Sequence, residues 1–245
     1  MSPPTSPSSS ASNALLKLHP SLWRGSQLGS RLGLTLSTGF PTLDAELPGG
    51  GWPTGTLIEL LTPHAGVGEI KLLHHALQAS VNKQPVVLLQ PPYQPHIACW
   101  SAWQLGTQRL LYLTPEHLRD ADWAAEQILK NGSCAALLYW AHPVQTSVLK
   151  RLHLAAQSSQ TLFFIFRPLA VQNQPSPAAL RIALAPDLSG ALTLSIIKRR
   201  GPACGHPIKL AVSAYQPLST PTHDTMDWST AAQHQPRYLA APLAD

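Results

Sequence analysis

The chain is poor in charge. Only 12% of its 245 residues are Asp, Glu, Lys or Arg, about half the usual share, which excludes a coiled coil and a charge-driven disordered protein. Cysteine is scarce: Cys99, Cys134 and Cys204 are odd in number, widely spaced and without a CxxC pair. That argues against a disulfide framework or a zinc site, and for a reducing compartment. No apolar run reaches the roughly 18 to 20 residues of a membrane span, and Met1 to Asn13 lacks the basic-then-apolar order of a secretory signal. There is no G-x-S-x-G, and no serine sits with an acid and a histidine in a recognisable order. His74 and His75 are adjacent rather than four apart, so a helix points them about 100° from each other, which is no metal pair; His142, His153 and His206 are singletons that read as surface or hydrogen-bonded residues. These absences predict a soluble, cytoplasmic protein with no catalytic residues, no metal and no membrane partner.

What is present is a core of ordinary richness. The hydrophobic fraction is 44%, and the length suits one domain with tails. Residues 1–14 are rich in Ser and Pro and are predicted to be a disordered tail. Residues 15–36 form a basic segment carrying Lys17, Arg24 and Arg31 among Leu15, Leu16, Leu18, Leu22, Trp23, Leu28 and Leu32. Residues 37–214 hold the core. Residues 215–245 read as a flexible acidic tail, with Asp224, Asp227 and Asp245 against Arg237; its isolated Trp228 and Tyr238 suit either a docking tail or an inert terminus.

Inside the core, short apolar runs alternate with helical stretches. Strands are predicted at 56–62, 85–90, 109–113, 135–140 and 161–166, and helices at 69–81, 95–105, 115–130 and 146–158. The third helix has Thr114 as its cap, Pro115 at its first position and Asn131-Gly132 as its stop. This alternation indicates a parallel sheet covered on both faces. The period then changes to two across 179–185 and 191–198, joined by Pro186-Asp-Leu-Ser-Gly190, which is a hairpin. The expected fold is α/β, a mixed sheet of parallel strands followed by an antiparallel hairpin, with helices on both faces. Cys99, Trp100, Trp103 and Trp123 read as packing residues, although an exposed tryptophan would suit a partner.

In such a sheet a ligand lies where a strand ends and the next helix opens. The first such loop is Thr62-Pro-His-Ala-Gly-Val-Gly-Glu-Ile-Lys71. A phosphate loop needs G-x-x-x-x-G-K-[ST] there. Aligned on Gly68, with Gly66 inside the loop, the leading glycine is Pro63, the lysine is Glu69 and the hydroxyl is Ile70; Lys71 is two residues late and points elsewhere. The loop is thus a degenerate phosphate loop, retained for its turn geometry.

The phrases Thr38-Gly-Phe-Pro-Thr-Leu-Asp44 and Leu47-Pro-Gly-Gly-Gly-Trp-Pro-Thr-Gly-Thr-Leu-Ile-Glu-Leu-Leu61 resemble the start of a RecA-type ATPase core. Within that group the chain is most similar to the ImuA family, the RecA-like or SulA-like accessory proteins of SOS-induced translesion synthesis. The likeness is carried by Leu22-Trp-Arg-Gly25, Glu46-Leu-Pro-Gly-Gly-Gly-Trp-Pro53, Gly66-Val-Gly-Glu69, Gln90-Pro-Pro-Tyr-Gln-Pro95, Trp123-Ala-Ala-Glu-Gln127, Phe166-Arg-Pro168, Gln174-Pro-Ser-Pro-Ala-Ala-Leu-Arg181 and Lys198-Arg-Arg-Gly201, in that order. The resemblance implies a RecA-like core. It also locates the catalytic glutamate of the ATPase machinery after the second strand, where Gln90-Pro-Pro-Tyr93 stands, and its magnesium-supporting aspartate at Trp140, with the γ-phosphate-sensing glutamine replaced near Phe166-Arg167. Without these groups phosphoryl transfer has no charge placement, so no hydrolysis and no cofactor are expected.

The resemblance further implies an adaptor in the mutagenic complex with ImuB, an inactive Y-family polymerase relative, with an error-prone C-family polymerase, and with RecA. It places Arg167 to Pro177 at the DNA-binding loop of RecA, where one cation in eleven residues is a poor match to a phosphate chain. The candidate contact residues are Lys198, Arg199 and Arg200, at the end of an antiparallel strand, and Trp23 and Arg24 in the basic segment. The cationic phrase suits an acidic protein surface, a DNA phosphate or a solvated edge. A residual ATPase and a SulA-like inhibitor of cell division are the rival readings.

Overall fold

The computed structural model describes residues 34–81, 84–141 and 143–212. They all belong to the first of two units into which the chain divides by contact, Met1–Ala214 and Tyr215–Asp245. Among them no helix is long and apolar enough to cross a membrane.

The chain enters through β1 (Thr35–Leu36), α1 (Pro41–Glu46) and β2 (Trp52–Pro53). The alternating part follows: β3 (Thr56–Thr62), α2 (Glu69–Val81), β4 (Val86–Leu89), α3 (Ile97–Ala102), β5 (Leu110–Leu113), α4 (Leu118–Asn131), β6 (Ala136–Trp140), α5 (Thr146–Ala156) and β7 (Leu162–Pro168). It ends with β8 (Leu180–Pro186), β9 (Leu192–Lys198) and β10 (Ile208–Leu210). Eight strands form one sheet in the order β10-β9-β8-β3-β7-β6-β4-β5. From β8 to β5 every neighbour is parallel, whereas β9 runs antiparallel to both β8 and β10. The protein is therefore α/β with a large, mostly parallel mixed sheet and an antiparallel hairpin. The hairpin closes as its turn residues predict, with Asp187 N–H donating to the Ala191 carbonyl and Gly190 N–H to the Asp187 carbonyl.

Position in the sheet explains the two sequence periods. β3 is hydrogen-bonded along both edges and covered on both faces, and all seven of its residues are buried; such a strand reads as a continuous apolar run. β9 shows alternating burial over most of its length, as its period of two requires. Leu72, Leu73, Ala76 and Leu77 of α2, with Leu43 of α1 and Trp100 of α3, pack on one face over Ile58, Leu60, Leu138 and Phe164. On the other face Ala121, Ala125 and Leu129 of α4 and Leu149, Leu152 and Ala156 of α5 cover Leu57, Leu137, Phe163 and Ile165. The Tyr139 hydroxyl donates to Asp122 at 2.7 Å and ties α4 to the sheet. Burial, with Asp122 beside it, raises the Tyr139 hydroxyl far above its ordinary pKa.

Several boundaries differ from the sequence expectation. α4 begins at Leu118 with His117 as its N-cap, three residues beyond Pro115; the Pro115 carbonyl accepts a bond from the Gln90 side chain instead of opening the helix. Its stop is as predicted, with Gly132 in the left-handed region at φ 58°. α3 is shorter than 95–105, because Gln104 takes φ 57° and breaks the helical path. The β1–β2 pair, α1 and β10 carry too few residues for a periodic signal. The glycine triplet before β2 is explained by that pair: a Cβ on Gly51 would stand 2.2 Å from the Leu36 carbonyl oxygen. Two packing assignments are corrected, since Cys99 is exposed and Trp123 is 63% exposed. Both sit on short or outer helical faces that alternate with their buried neighbours Trp100 and Ala125.

Candidate functional site

The loop between β3 and α2 lies at the carboxyl end of the central strand, where ligands bind in parallel sheets. The side chain of Glu69, the first residue of α2, folds back into it. One carboxylate oxygen accepts the Gly66 N–H at 2.9 Å, and the other accepts the Gly68 N–H at 3.1 Å. The carboxylate is 4% exposed and sits at a helix N-terminus, where the dipole favours negative charge. Gly68 takes φ 106°, a conformation that only glycine adopts without strain.

The backbone amides that a phosphate loop aims at its ligand thus hold a carboxylate of the chain itself. A phosphate brought within about 4 Å of it would meet roughly 4 kcal/mol of repulsion per pair of unit charges at an effective dielectric of 20. Pro63 is exposed, Ile70 packs against the core, and Lys71 is exposed at the rim. Glu69 and Ile70 offer neither the cation nor the hydroxyl that a phosphate loop would carry at these positions.

The strand ends around the loop follow the same trend. Gln90, at φ 53°, directs its amide to the Pro115 carbonyl. Trp140 at the end of β6 stacks on Phe166 of β7, with ring centroids 4.5 Å apart and planes at 21°. The sequence placed Arg167 beside these groups, but its guanidinium is buried and bonded to Glu59. A cleft of about 240 Å³ opens beside the loop between Glu69, Lys71, Tyr93, Trp100, Trp103 and Trp140. Glu69 is its one acidic lining residue among the described residues. Its walls suit an apolar group and offer no pair of acids for proton transfer or metal bridging.

The basic phrase at the end of β9 is not one patch. Lys198 donates to the Ser176 carbonyl at 2.8 Å. Arg199 is half-buried; it donates to the Glu46 carboxylate at 2.8 Å, to the Glu46 carbonyl and to the Pro202 carbonyl. That guanidinium holds the Glu46 carboxyl below its ordinary pKa, with Cys204 and His206 adding to the effect against burial. Arg200 is exposed. Trp23 and Arg24 lie outside the described residues, as does His142. His74 donates to the Trp103 carbonyl at 3.0 Å and His75 to the Ser37 carbonyl at 3.3 Å, so each ring is used in packing.

The sequence reading missed a buried ion cluster. Glu59, in the middle of β3, is fully buried, and its two oxygens accept from Arg167 at 2.8 Å and from Arg181 at 2.5 Å. Arg181 also donates to the carbonyls of Val171, Gln172 and Gln174 at 3.1–3.2 Å. It therefore straps the connection between β7 and β8. A signal was present: a lone glutamate within Thr-Leu-Ile-Glu-Leu-Leu-Thr cannot stay buried and charged without partners, and Arg167 and Arg181 stand in neighbouring strands.

No protein-family model matches the chain, and no curated protein matches it.

Proposed function

We propose that the protein is a non-catalytic adaptor with a RecA-like core, working in the cytoplasm in the SOS-induced mutagenic translesion complex. It binds ImuB, and through that complex the error-prone C-family polymerase, and it contacts RecA by a surface inherited from subunit packing. DNA contact is weak or indirect, and no cofactor takes part. The observation that carries the reading is the Glu69 carboxylate seated on the amides of Gly66 and Gly68. A scaffold that spends its anion-binding amides on its own side chain keeps a shape for recognition and gives up the charge placement that phosphoryl transfer requires. The mostly parallel sheet, the aromatic stack at Trp140 and the ordered phrases between Leu22 and Gly201 support it.

Two experiments test it. Calorimetric titration of the full chain with ATP and magnesium is expected to show no saturable heat; saturable binding that Gly68→Trp abolishes would establish the residual-ATPase reading instead. Co-purification with ImuB and with RecA is expected to succeed for the unaltered chain and to weaken in Arg200→Glu, which changes an exposed cation and leaves the internally bonded Arg199 in place. Retention of neither partner by the unaltered chain sinks the adaptor.

A further inference from the structure

The opposite end of the sheet, where β9 ends and α1 packs, carries a set of donors that the adaptor reading does not use. Glu46 closes α1. Cys204 and His206 lie two residues apart on the connection from β9 to β10. A carboxylate oxygen of Glu46, the Cys204 sulfur and a His206 ring nitrogen all lie within 4.8 Å of one another. These are three residues of three chemical types, brought together across more than 150 positions of sequence.

We propose that Glu46, Cys204 and His206 bind a zinc ion. Four-coordinate zinc holds thiolate, imidazole and carboxylate at about 2.0 to 2.3 Å, so its ligand atoms stand closer together than the span seen here. The adjustment falls on mobile groups: the His206 side chain is 67% exposed, and its Nε2 already stands 3.6 Å from the facing Glu46 oxygen. The other carboxylate oxygen is fixed by Arg199 at 2.8 Å, which presents the remaining one to the metal. Cys204 bonds the His206 carbonyl at 3.4 Å and the Glu46 carboxylate beside it, and gives up its proton to solvent on binding. One soft sulfur, one imidazole and one carboxylate select zinc over magnesium or calcium, which prefer oxygen alone. The fourth position is left for water. The ion clips the β9–β10 connection, which carries the exposed Arg200, onto α1.

The absence of a CxxC pair speaks only against zinc sites built from closely spaced cysteines. Here the donors meet only because the β9–β10 connection folds onto the end of α1. The inference stands apart from the adaptor reading and survives its failure.

The test uses the full chain, stripped of metal and titrated with zinc against a chromophoric chelator, with cobalt as a spectroscopic probe. One zinc per chain is expected, along with a near-ultraviolet thiolate-to-cobalt band. Cys204→Ser, a near-isosteric change at a half-buried residue packed against the core, and His206→Ala, at an exposed one, are expected to weaken zinc by about 10- to 100-fold or more, since even changes behind the ligands have effects of that order, and Cys204→Ser removes the band. Circular dichroism shows whether each variant stays folded. Zinc affinity in the double variant equal to that of the unaltered chain overturns the proposal, and so does a cobalt band that survives in Cys204→Ser.

Discussion

Two glutamates among the described residues are buried, and they are satisfied in opposite ways. Glu69 is held by amides one and three residues away, so its site is closed within a single loop. Glu59 is held by guanidiniums 108 and 122 residues away, brought beside it by the pairing of β3 with β7 and β8. The first arrangement withdraws a loop from ligand chemistry at little structural risk. The second places an ion cluster at the centre of the sheet, where one carboxylate faces two cations and the connection they strap depends on it. A local contact can form before the fold does, whereas the long-range one exists only once the sheet is assembled.

The largest expected effect follows from removing the long-range partner. Glu59→Gln leaves two buried guanidiniums without their counter-charge and should cost about 3 to 5 kcal/mol in urea unfolding. Glu69→Ala frees two amides at a partly solvated loop and should cost about 1.5 to 3 kcal/mol, the range for bonds to a charged group. The contrast breaks if Glu59→Gln costs no more than Glu69→Ala. A third glutamate, half-buried, gives the scale for a pair formed with exposed cations. Glu126 pairs with Lys130 at 2.7 Å and Arg151 at 3.7 Å on the outer faces of α4 and α5, and Glu126→Gln should change stability by about 1 kcal/mol or less. The bond from Lys130 lowers the Glu126 carboxyl pKa against the opposing effect of burial. Its contribution is therefore present above the ordinary glutamate range and is lost as pH falls through the lowered value, so the variant should flatten that part of the acid limb.

The smallest effect sharpens the comparison from the cationic side. Burial, then Arg200 and Lys198, lower the His153 pKa. The unfolded chain takes up that proton more readily, so stability is complete above the ordinary histidine value and declines as pH falls below about 6.5. His153→Gln should remove that slope, measured as urea midpoints between neutral and mildly acidic pH. Thiol labelling offers a separate check on burial. Burial pushes the Cys134 thiol up to about 11, so it should react with a disulfide reagent far more slowly than the exposed Cys99.

Much of the architecture was legible because it is written in local periods. The seven apolar-ringed residues of β3, the stop at Gly132 and the hairpin at Pro186 to Gly190 follow from burial, handedness and turn chemistry that neighbouring residues decide. The exposed Trp123 and the late start of α4 were not legible, since each depends on what packs or bonds at that spot. That Glu69 stands where a phosphate loop would carry lysine was visible in the sequence, but not that its carboxylate would turn into the loop. Arg199 shows the same limit: it read as a surface cation, and the fold places it on Glu46.

The sequence alone determined an α/β chain with a two-glycine loop and a glutamate opening the helix after its central strand, because residue identity and short-range spacing suffice for both. Only the tertiary structure decided which charges are neutralised, by whom, and which donors meet. Electrostatic partners act over a few ångströms of space, and strands far apart in the chain become neighbours only when the sheet sets their register.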